Sequence, residues 1–464
     1  MAKLRVLCIS IILLMIAGLA LAACQPTPTP TATKAPATAT VPAKPTATPI
    51  ATNSLGVDED DLDGVTIEVW HTWFGVPASL FDLQVTEFNE ENPWGITVHA
   101  TSQGSYNMLF NQVMDALDAP QRPDVVVALS EQISVWGEAE SLTDLMPYIE
   151  DPKWGFAKAE LSDFPYVFLE QDQRENRQLA LPAQRTARFL LYNQTWAEEL
   201  GFDAPPATLE EFEEQACAAN QFMRSDESAD NDGKGGWIVD SDSMTVLSWM
   251  LAFDGGPLTD GGYKFITPEN IETLKRLKKL FDDGCAWVST EDTPYEQFAA
   301  RSALFITASL EEFSDLSRSF AQLGNADAWI PLAFPGVKKD VLVVYGSSYA
   351  LLETDDVQQL ASWLFVRWML APENQARWVK STSLFPLRVS SLDELSDYQD
   401  EHPQWAAGVE LITQAQIQPQ LLSWRKVRPV LGDGFDHIFR VNMQAGSVAA
   451  VLAQMSQVAD ALSD

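Results

Sequence analysis

Residue types that could carry out catalysis occur throughout this 464-residue chain, but none of them stands in a catalytic pattern. The sequence has no Gly-x-Ser-x-Gly turn, no HExxH helix, no phosphate-binding P-loop and no CxxC pair. Its histidines, His71, His99, His402 and His437, lack the spacing of metal ligands. The carboxylates are too numerous for two of them to stand out as a glycosidase pair. We therefore predict a protein without enzymatic activity, metal or cofactor.

The N-terminus has the parts of a secretory signal. Lys3 and Arg5 precede an apolar run that ends in Leu21-Ala22-Ala23-Cys24. This ending resembles the lipobox of bacterial lipoproteins, which implies removal of residues 1–23 and lipidation of Cys24. The alternative is an uncleaved transmembrane anchor, but the apolar run is only just long enough to span a bilayer. We expect an extracytoplasmic protein that is held at the outer face of the cell membrane by a lipid anchor.

A segment rich in Pro, Thr and Ala follows the lipidation site and continues to residue 57. Such a composition cannot bury enough apolar surface to offset the entropy of ordering. Its prolines favour an extended polyproline II chain. Residues 24–57 are therefore predicted to form a disordered tether, either bare or O-glycosylated. The globular body that follows has about 400 residues, which is the size of two lobes rather than one.

The charge of the chain excludes one class of partner. The formal net charge is −35, and no basic patch of the kind that binds nucleic acid is visible. We expect a solvated acidic surface and no nucleic-acid ligand.

Two cysteines, Cys217 and Cys285, remain in the mature body. In an oxidising compartment they could form a disulfide, or they could be two buried free thiols. Sequence alone leaves both possibilities open, although we favour the disulfide.

Strand and helix patterns alternate along the body. Residues 65–70 alternate in polarity as a half-buried strand does, and residues 77–91 have helical spacing. A second strand is expected at 96–100, a second helix at 106–117 and a buried strand at 125–128. Thr208 and Glu211 form a capping-box pattern for a helix that reaches Asn220. The fold class is therefore α/β.

Several segments resemble the extracellular solute-binding proteins of carbohydrate ABC transporters, among which maltose-type binding proteins are well known. The segments that carry this resemblance are PDVVVALSEQISVWGEAESLTDLMPYI, LALPAQRTARFLLYNQTWAEELGFDAPPATLEEFEEQA, RSALFITAS, VYGSSYALLE and LASWLFVRWMLAPENQARWVKSTSLFPLR. The resemblance implies a type II periplasmic-binding-protein fold of two α/β lobes with a ligand cleft between them. It places one lobe at 58–184 plus 347–398 and the other at 185–346 plus 399–464. The crossings between the lobes would then lie near 184–186, 345–347 and 393–402.

The resemblance also implies which residues contact the ligand. Trp73 would stack on a sugar ring, Ser130 and Glu131 would accept hydroxyl protons, and Arg185 would bind a hydroxyl or a carboxylate. The full predicted set, all placed at cleft edges, is His71, Thr72, Trp73, Tyr106, Ser130, Glu131, Arg185, Ser243, Thr245, Trp249, Ser309, Gly346, Ser347, Arg388 and Asp433.

Two positions depart from the maltose-type pattern. Leu310 and Asp433 stand where those relatives often have stacking tryptophans. Their absence argues against a long α-glucan and leaves a shorter sugar or another polar solute as the ligand.

The resulting hypothesis is a monomeric, lipid-anchored receptor that delivers a small polar solute, a sugar or oligosaccharide, to the permease subunits of an ABC importer. One alternative is a ligand-sensing partner of a membrane kinase. The other alternative, a surface glycan hydrolase, is weaker because no catalytic pair is apparent.

Overall fold

The computed structural model describes residues 53–117, 119, 122–440 and 442–463. The predicted signal, Cys24 and most of the predicted tether lie outside these residues. Within the described part of the chain, no helix combines the length and the apolar character needed to cross a membrane.

The strands are numbered in chain order. They are β1 (Thr66–His71), β2 (Thr97–Ser102), β3 (Val125–Leu129), β4 (Gln173–Arg174), β5 (Arg177–Gln178), β6 (Leu181–Pro182), β7 (Thr186–Asn193), β8 (Trp237–Ile238), β9 (Leu258–Thr259), β10 (Gly262–Tyr263), β11 (Ala286–Trp287), β12 (Phe305–Ser309), β13 (Trp329–Leu332), β14 (Leu342–Tyr345), β15 (Ser347–Leu351) and β16 (Ala415–Ile417).

The α-helices are numbered in the same way. They are α1 (Gly75–Glu91), α2 (Tyr106–Ala116), α3 (Ser130–Glu138), α4 (Met146–Glu150), α5 (Lys158–Leu161), α6 (Tyr166–Glu170), α7 (Gln194–Glu199), α8 (Leu209–Arg224), α9 (Ser243–Ala252), α10 (Pro268–Asp282), α11 (Tyr295–Ala299), α12 (Phe313–Leu323), α13 (Asp356–Met369), α14 (Pro372–Thr382), α15 (Ser396–Glu401), α16 (Pro403–Glu410), α17 (Trp424–Ile438) and α18 (Val448–Ser463). Short 3₁₀ helices occupy Glu59–Leu62, Leu310–Glu312, Val389–Glu394, Leu411–Gln414 and Ala445–Ser447.

The first sheet has the strand order β2-β1-β3-β15-β6. β1 is parallel to both β2 and β3, whereas β15 runs antiparallel to β3 and β6. The first four residues of β3, Val125 to Ala128, are all buried, as expected for an apolar strand that is covered on both faces. The carboxyl ends of β1, β2 and β3 therefore lie at one edge of this sheet.

The second sheet has the order β11-β8-β12-β7-β14-β16, with β13 also paired to β7. β8, β11 and β12 are parallel to one another, so their carboxyl ends share an edge. β7 is antiparallel to β12, β13 and β14. Together the two sheets and the surrounding helices confirm the α/β class.

Sequence signals for helix ends act as expected. Thr208 Oγ1 accepts a hydrogen bond from the backbone N–H of Glu211, and the Glu211 carboxylate accepts one from the backbone N–H of Thr208. The helix continues to Arg224, four residues beyond the predicted end, because no helix-breaking residue follows Asn220. The predicted strands and helices of the first sheet are present, with ends shifted by one or two residues.

The chain passes between the two sheets at two tight crossings. It leaves the first sheet after β6 and enters the second at β7, then returns between β14 and β15. Gly346 is the single residue between β14 and β15 and has a φ of 151°, and a Cβ there would overlap the carbonyl oxygen of Gln184. Both positions coincide with expected crossings, whereas the full lobe boundaries stay a prediction.

The apolar interiors beneath the two sheets meet at these crossings. The ring of Phe385 lies 5.8 Å from that of Phe168 and 6.0 Å from that of Phe189. The backbone N–H of Phe385 donates to the carbonyl oxygen of Arg185. The two sheets therefore share a continuous apolar seam at the crossings.

Cys217 and Cys285 form a disulfide in the structure, with their Cα atoms 4.5 Å apart. The bond joins α8 to the segment just before β11. The disulfide covalently links two neighbouring elements of the second sheet's layer.

Candidate functional site

A group of polar side chains, here called the first-sheet cluster, lies at the carboxyl edge of the first sheet. It consists of Thr72, Tyr106, Glu131 and Ser347. Thr72 follows β1, Tyr106 begins α2 beyond β2, Glu131 lies in the first turn of α3 beyond β3, and Ser347 starts β15. Parallel strands deliver their following residues to the same edge, which is where α/β sheets bind ligands.

Tyr106 lies at the centre of the first-sheet cluster. Burial raises the pKa of its hydroxyl, and the neighbouring side chains of Ser347 and Thr72 partly oppose that rise. The side-chain amide of Gln132 donates to the backbone oxygen of Tyr106 at 2.6 Å and so links α2 to α3. The hydroxyl of Tyr106 is thereby held neutral and can both donate and accept hydrogen bonds.

Two members of the first-sheet cluster are buried without hydrogen-bond partners. Glu131 is 2% exposed, and neither of its carboxylate oxygens has a hydrogen-bond partner among the described residues. The Oγ atom of Ser347, which is fully buried, is also without one. Arg428 Nη1 lies 3.1 Å from Glu131 Oε1, but the two groups are not aligned as a hydrogen bond. Buried polar groups are normally satisfied, and these two groups also lie at the carboxyl edge of the sheet, so they are candidates for contact with a ligand.

A second group, here called the second-sheet cluster, surrounds Arg188 on β7. It consists of Arg188, Asp240, Glu311, Glu312 and Tyr345. Arg188 donates to Asp240 at 2.7 Å and to Glu312 at 2.8 Å. Burial disfavours ionisation of Asp240, but Arg188 and the hydroxyls of two threonines, Thr245 and Thr307, lower its pKa below the usual value. The Arg188 guanidinium is accordingly neutralised by its own neighbours.

Glu311 and Tyr345 complete the second-sheet cluster. Burial raises the pKa of Glu311, and its Oε2 accepts a hydrogen bond from Thr186 Oγ1 at 2.7 Å. Burial and then the nearby Glu311 carboxylate raise the pKa of Tyr345. Tyr345 and Ser347 flank Gly346, so the crossing joins the two clusters through three consecutive residues.

A cavity of about 300 Å³ opens at the carboxyl edge of β8, β11 and β12. Arg188, Asp240 and Glu312 of the second-sheet cluster form part of its wall. The other lining residues are Ile238, Val239, Ser241, Val288, Ser289, Glu291, Asp292, Pro294, Tyr295, Thr307 and Asp436. Its wall is mainly polar and acidic, with one arginine. Across the residues that the structure describes, no three His, Cys, Asp or Glu side chains are placed to hold a metal ion.

Several predicted ligand residues come together in these clusters. Thr72, Tyr106, Glu131, Gly346 and Ser347 lie at the first-sheet cluster and its adjoining crossing. Thr245 and Ser309 join the second-sheet cluster, where they donate to Asp240 and Glu312 respectively. Ser243 begins α9 and is partly buried beside Gly432 of α17.

His71 and Trp73 are core residues in this structure. Trp73 is 6% exposed, and its ring centroid lies 4.7 Å from those of both Phe81 and Trp378. Its indole N–H donates to Gln184 Oε1. His71 is buried beside Phe81, and its Nδ1 accepts the backbone N–H of Trp73. Neither ring offers a face to a sugar, because apolar neighbours cover it.

Ser130 and Arg185 belong to a buried network rather than to an open site. Arg185 donates to Asp172 Oδ2 at 2.7 Å, and both side chains are fully buried. Ser130 donates to the other oxygen of Asp172, and Ser348 donates to Oδ2. Arg185 also donates to the backbone oxygens of Phe168, Gln184 and Ser347. These bonds occupy both Nη atoms at the crossing, and the side chain is fully buried, so it does not face an open site.

Trp249, Arg388 and Asp433 also lie away from the clusters. Trp249 is fully buried in the second core, against Phe212 and Phe334. Arg388 donates to Asp163 Oδ2 at 2.7 Å in the first sheet's layer. Asp433 is exposed and lines a groove between α17 and α18. Leu310 is fully buried, so this position cannot supply a stacking surface.

Sequence reasoning missed Arg188, Asp240, Glu311, Glu312 and Tyr345. One signal was available, since Arg188 interrupts the otherwise apolar strand TARFLLYN. A charged residue in the middle of a buried strand requires a partner, and such partners commonly mark functional sites.

Comparison with protein families shows the family to which the chain belongs. A family model described as "Bacterial extracellular solute-binding protein" matches residues 84–411. The chain belongs to this family. Members are extracellular, so this solute-binding protein acts outside the cytoplasm.

The sn-glycerol-3-phosphate-binding periplasmic protein UgpB of Salmonella typhimurium is 20% identical over 385 residues, covering 80% of this chain and 85% of its own. UgpB of Escherichia coli K12 is 20% identical over 340 residues, covering 71% and 75%.

Solved structures show the same fold. The sugar-binding protein MalE of Xanthomonas citri matches with a TM-score of 0.73 and 17% identity, covering 86% of this chain and 97% of its own. The cyclic α-maltosyl-1,6-maltose binding protein of Arthrobacter globiformis matches with a TM-score of 0.68 and 20% identity, covering 86% and 98%. UgpB of Mycobacterium tuberculosis, in complex with glycerophosphocholine, gives 0.67 and 16%, covering 86% and 98%. The solute-binding protein therefore has the type II periplasmic-binding-protein fold.

Proposed function

We propose that this solute-binding protein takes up a small uncharged polar solute, a sugar or short oligosaccharide, between the two clusters and delivers it to an ABC importer. The observation that carries the proposal is the pair of unsatisfied buried groups at Glu131 and Ser347. A sugar hydroxyl can donate to a carboxylate and also accept from a serine hydroxyl. The ligand would thus complete hydrogen bonds that the protein leaves open.

The charges around the clusters favour a neutral solute over a phosphate ester. Arg185 is paired with Asp172, Arg188 with Asp240 and Glu312, and Arg428 with Glu131. A phosphate would have to compete with these carboxylates for each guanidinium. The names of the UgpB relatives nevertheless make sn-glycerol 3-phosphate and glycerophosphocholine necessary members of any ligand panel.

Delivery also requires a location and partners. We propose that lipid on Cys24 holds the protein at the outer membrane face, that the tether lets it reach the permease, and that it acts as a monomer that releases its solute unchanged. Two lobes with the boundaries expected above would close on the solute and present a closed surface to the permease. Mass spectrometry of the N-terminal peptide tests the anchor. A diacylglyceryl Cys24 is expected, and an intact residue 1–23 segment would contradict it.

The ligand proposal is tested by thermal shift and calorimetry with monosaccharides, disaccharides and short maltodextrins, together with the two glycerol phosphates. A ligand that binds only the folded protein raises its melting temperature. We expect one or more sugars to do so and to be recovered chemically intact. A response confined to the phosphates would contradict the neutral-solute assignment, and recovery of cleaved sugar would contradict the binding-only role.

A further inference from the structure

The helix α17 carries two arginines that reach elements of the first sheet's layer. Arg428 Nη1 lies 3.1 Å from Glu131 Oε1 on α3. The guanidinium carbon of Arg425 lies 4.0 Å from the ring centroid of Phe110 on α2. Both residues occupy successive turns of one helix, so they approach α2 and α3 together.

One face of α17 is buried in the layer of the second sheet. Trp424 is fully buried, and its indole N–H donates to Gln418 Oε1 at 2.8 Å. Val427, Leu431 and Phe435 on the same helix are also buried, in a core shared with Trp249. Arg425 and Arg428 are therefore carried by a helix that is packed in one lobe, whereas the residues that they contact lie in the other lobe.

The ring of Phe110, which Arg425 contacts, is itself held in place within the first lobe. The ring of Phe110 stacks on that of Trp136, with 5.6 Å between centroids and 17° between planes. The guanidinium carbon of Arg425 lies over the Phe110 ring, and its Nε atom is buried without a hydrogen-bond partner among the described residues. A guanidinium on an aromatic face is attractive, and more so where water is excluded.

We infer that Arg425 and Arg428 form a cross-lobe clasp, and that Arg428 positions the ligand-accepting carboxylate of Glu131. Glu131 Oε1 faces Arg428, and Oε2 remains available to a hydroxyl donor. Arg428 is thus a positioning residue that acts through Glu131. The positioning half of the inference rests on the proposed function, whereas the clasp can be tested in the protein without any ligand.

The clasp is tested by the distance between lobes in the ligand-free protein. Genetically encoded spin labels at Glu90 and Glu272, both exposed, leave the Cys217–Cys285 disulfide intact. We expect Arg425→Ala with Arg428→Ala to shift the distance distribution towards longer values.

Lys426→Ala is the matched control for the clasp. Lys426 lies in the same turn of α17, but its ammonium donates to the backbone oxygen of Leu462 in the same layer. Its removal should leave the distance distribution unchanged. An unchanged distribution in the double arginine variant, or an equal shift in the lysine variant, would overturn the clasp.

The positioning role is tested with the panel sugar that gives the largest thermal shift. We expect Arg428→Gln to raise the Kd about tenfold, and Arg428→Lys to restore part of the affinity. In Glu131→Gln, adding Arg428→Gln should have little further effect, since the two act as one unit. Additive losses would overturn the positioning role. If no panel sugar binds, the proposed function fails, while the distance measurement still decides the clasp.

Discussion

Arg185 and Asp172 form a fully buried ion pair at the first crossing between the sheets, with 2.7 Å between Nη2 and Oδ2. Ser348, the second residue of β15, also donates to Asp172 Oδ2. The pair therefore connects both crossing segments to α6 through the backbone oxygen of Phe168. This network fixes the geometry of the hinge on which the two clusters depend.

Removal of Arg185 should destabilise the protein strongly. Arg185→Met leaves Asp172 as a buried charge without a cation, and breaking such a pair typically costs about 3–5 kcal/mol. Urea unfolding measures the free energy of unfolding. Arg276→Met serves as the control, because the Arg276 pair with Glu213 is partly exposed and is worth about 1 kcal/mol or less. Equal losses in the two variants would show that the buried network is unimportant.

The adjacent residues Ser347 and Ser348 should respond in opposite ways to alanine substitution. The Ser347 hydroxyl has no hydrogen-bond partner among the residues that the structure describes, so Ser347→Ala should leave the free energy of unfolding unchanged or raise it slightly. The same change should raise the Kd for a bound sugar about two- to tenfold, the value of one hydrogen bond.

Ser348→Ala is the comparison, since its hydroxyl contacts both Asp172 and Arg185. It should lower the free energy of unfolding by about 1–3 kcal/mol because it leaves charged groups incompletely satisfied. If Ser347→Ala proved the more destabilising of the two, the assignment of Ser347 to the ligand would be contradicted.

His71 should make the protein sensitive to acid. Burial, partly offset by Asp82, lowers the pKa of His71 from 6.5 to about 4. The unfolded chain binds this proton more readily, so stability is full above pH 6.5 and falls as the pH drops towards 4. The loss should reach about 3 kcal/mol. His71→Asn, which can still accept the N–H of Trp73, should flatten this part of the pH profile.

His99→Asn provides the control for the pH profile, because the His99 side chain is 61% exposed. Its profile should match that of the parent protein. A parent protein whose free energy of unfolding is constant between pH 6.5 and 4 would contradict the buried, neutral state of His71.

Loss of the Cys217–Cys285 disulfide should lower stability substantially. The bond closes a loop with a sequence separation of 68, and the chain-entropy model gives about 4 kcal/mol for such a loop. The variant Cys217→Ala with Cys285→Ala, unfolded in urea, measures this loss. Alkylation of both cysteines in the unreduced parent protein would contradict the disulfide.

The sheets and their crossings were largely predictable because their signals are local. Val125 to Ala128 is apolar throughout, and Thr208 with Glu211 carries its own capping pattern. Individual site residues were harder to predict. Arg185 was expected to face a ligand, because the sequence does not show that Asp172, 13 residues earlier, folds back to neutralise it.

Some site residues were misplaced or missed because the sequence does not show which distant segments pack together. Trp73 follows β1 at a position suited to a ligand, and only the packing of Trp378 from α14 shows that its face is covered. Arg428 lies far along the chain from Glu131, so no spacing rule could pair them. Pairings across distant segments depend on the tertiary fold, which local patterns do not encode.

The placement of β15 has a consequence for biosynthesis. This strand lies between β3 and β6 in the first sheet, yet it begins only at Ser347. An N-terminal fragment therefore cannot complete its own first layer, and pairings of such long sequence separation form slowly. We expect the nascent chain to stay unfolded for most of its synthesis, a condition that suits a polypeptide threaded through a secretion channel before it matures.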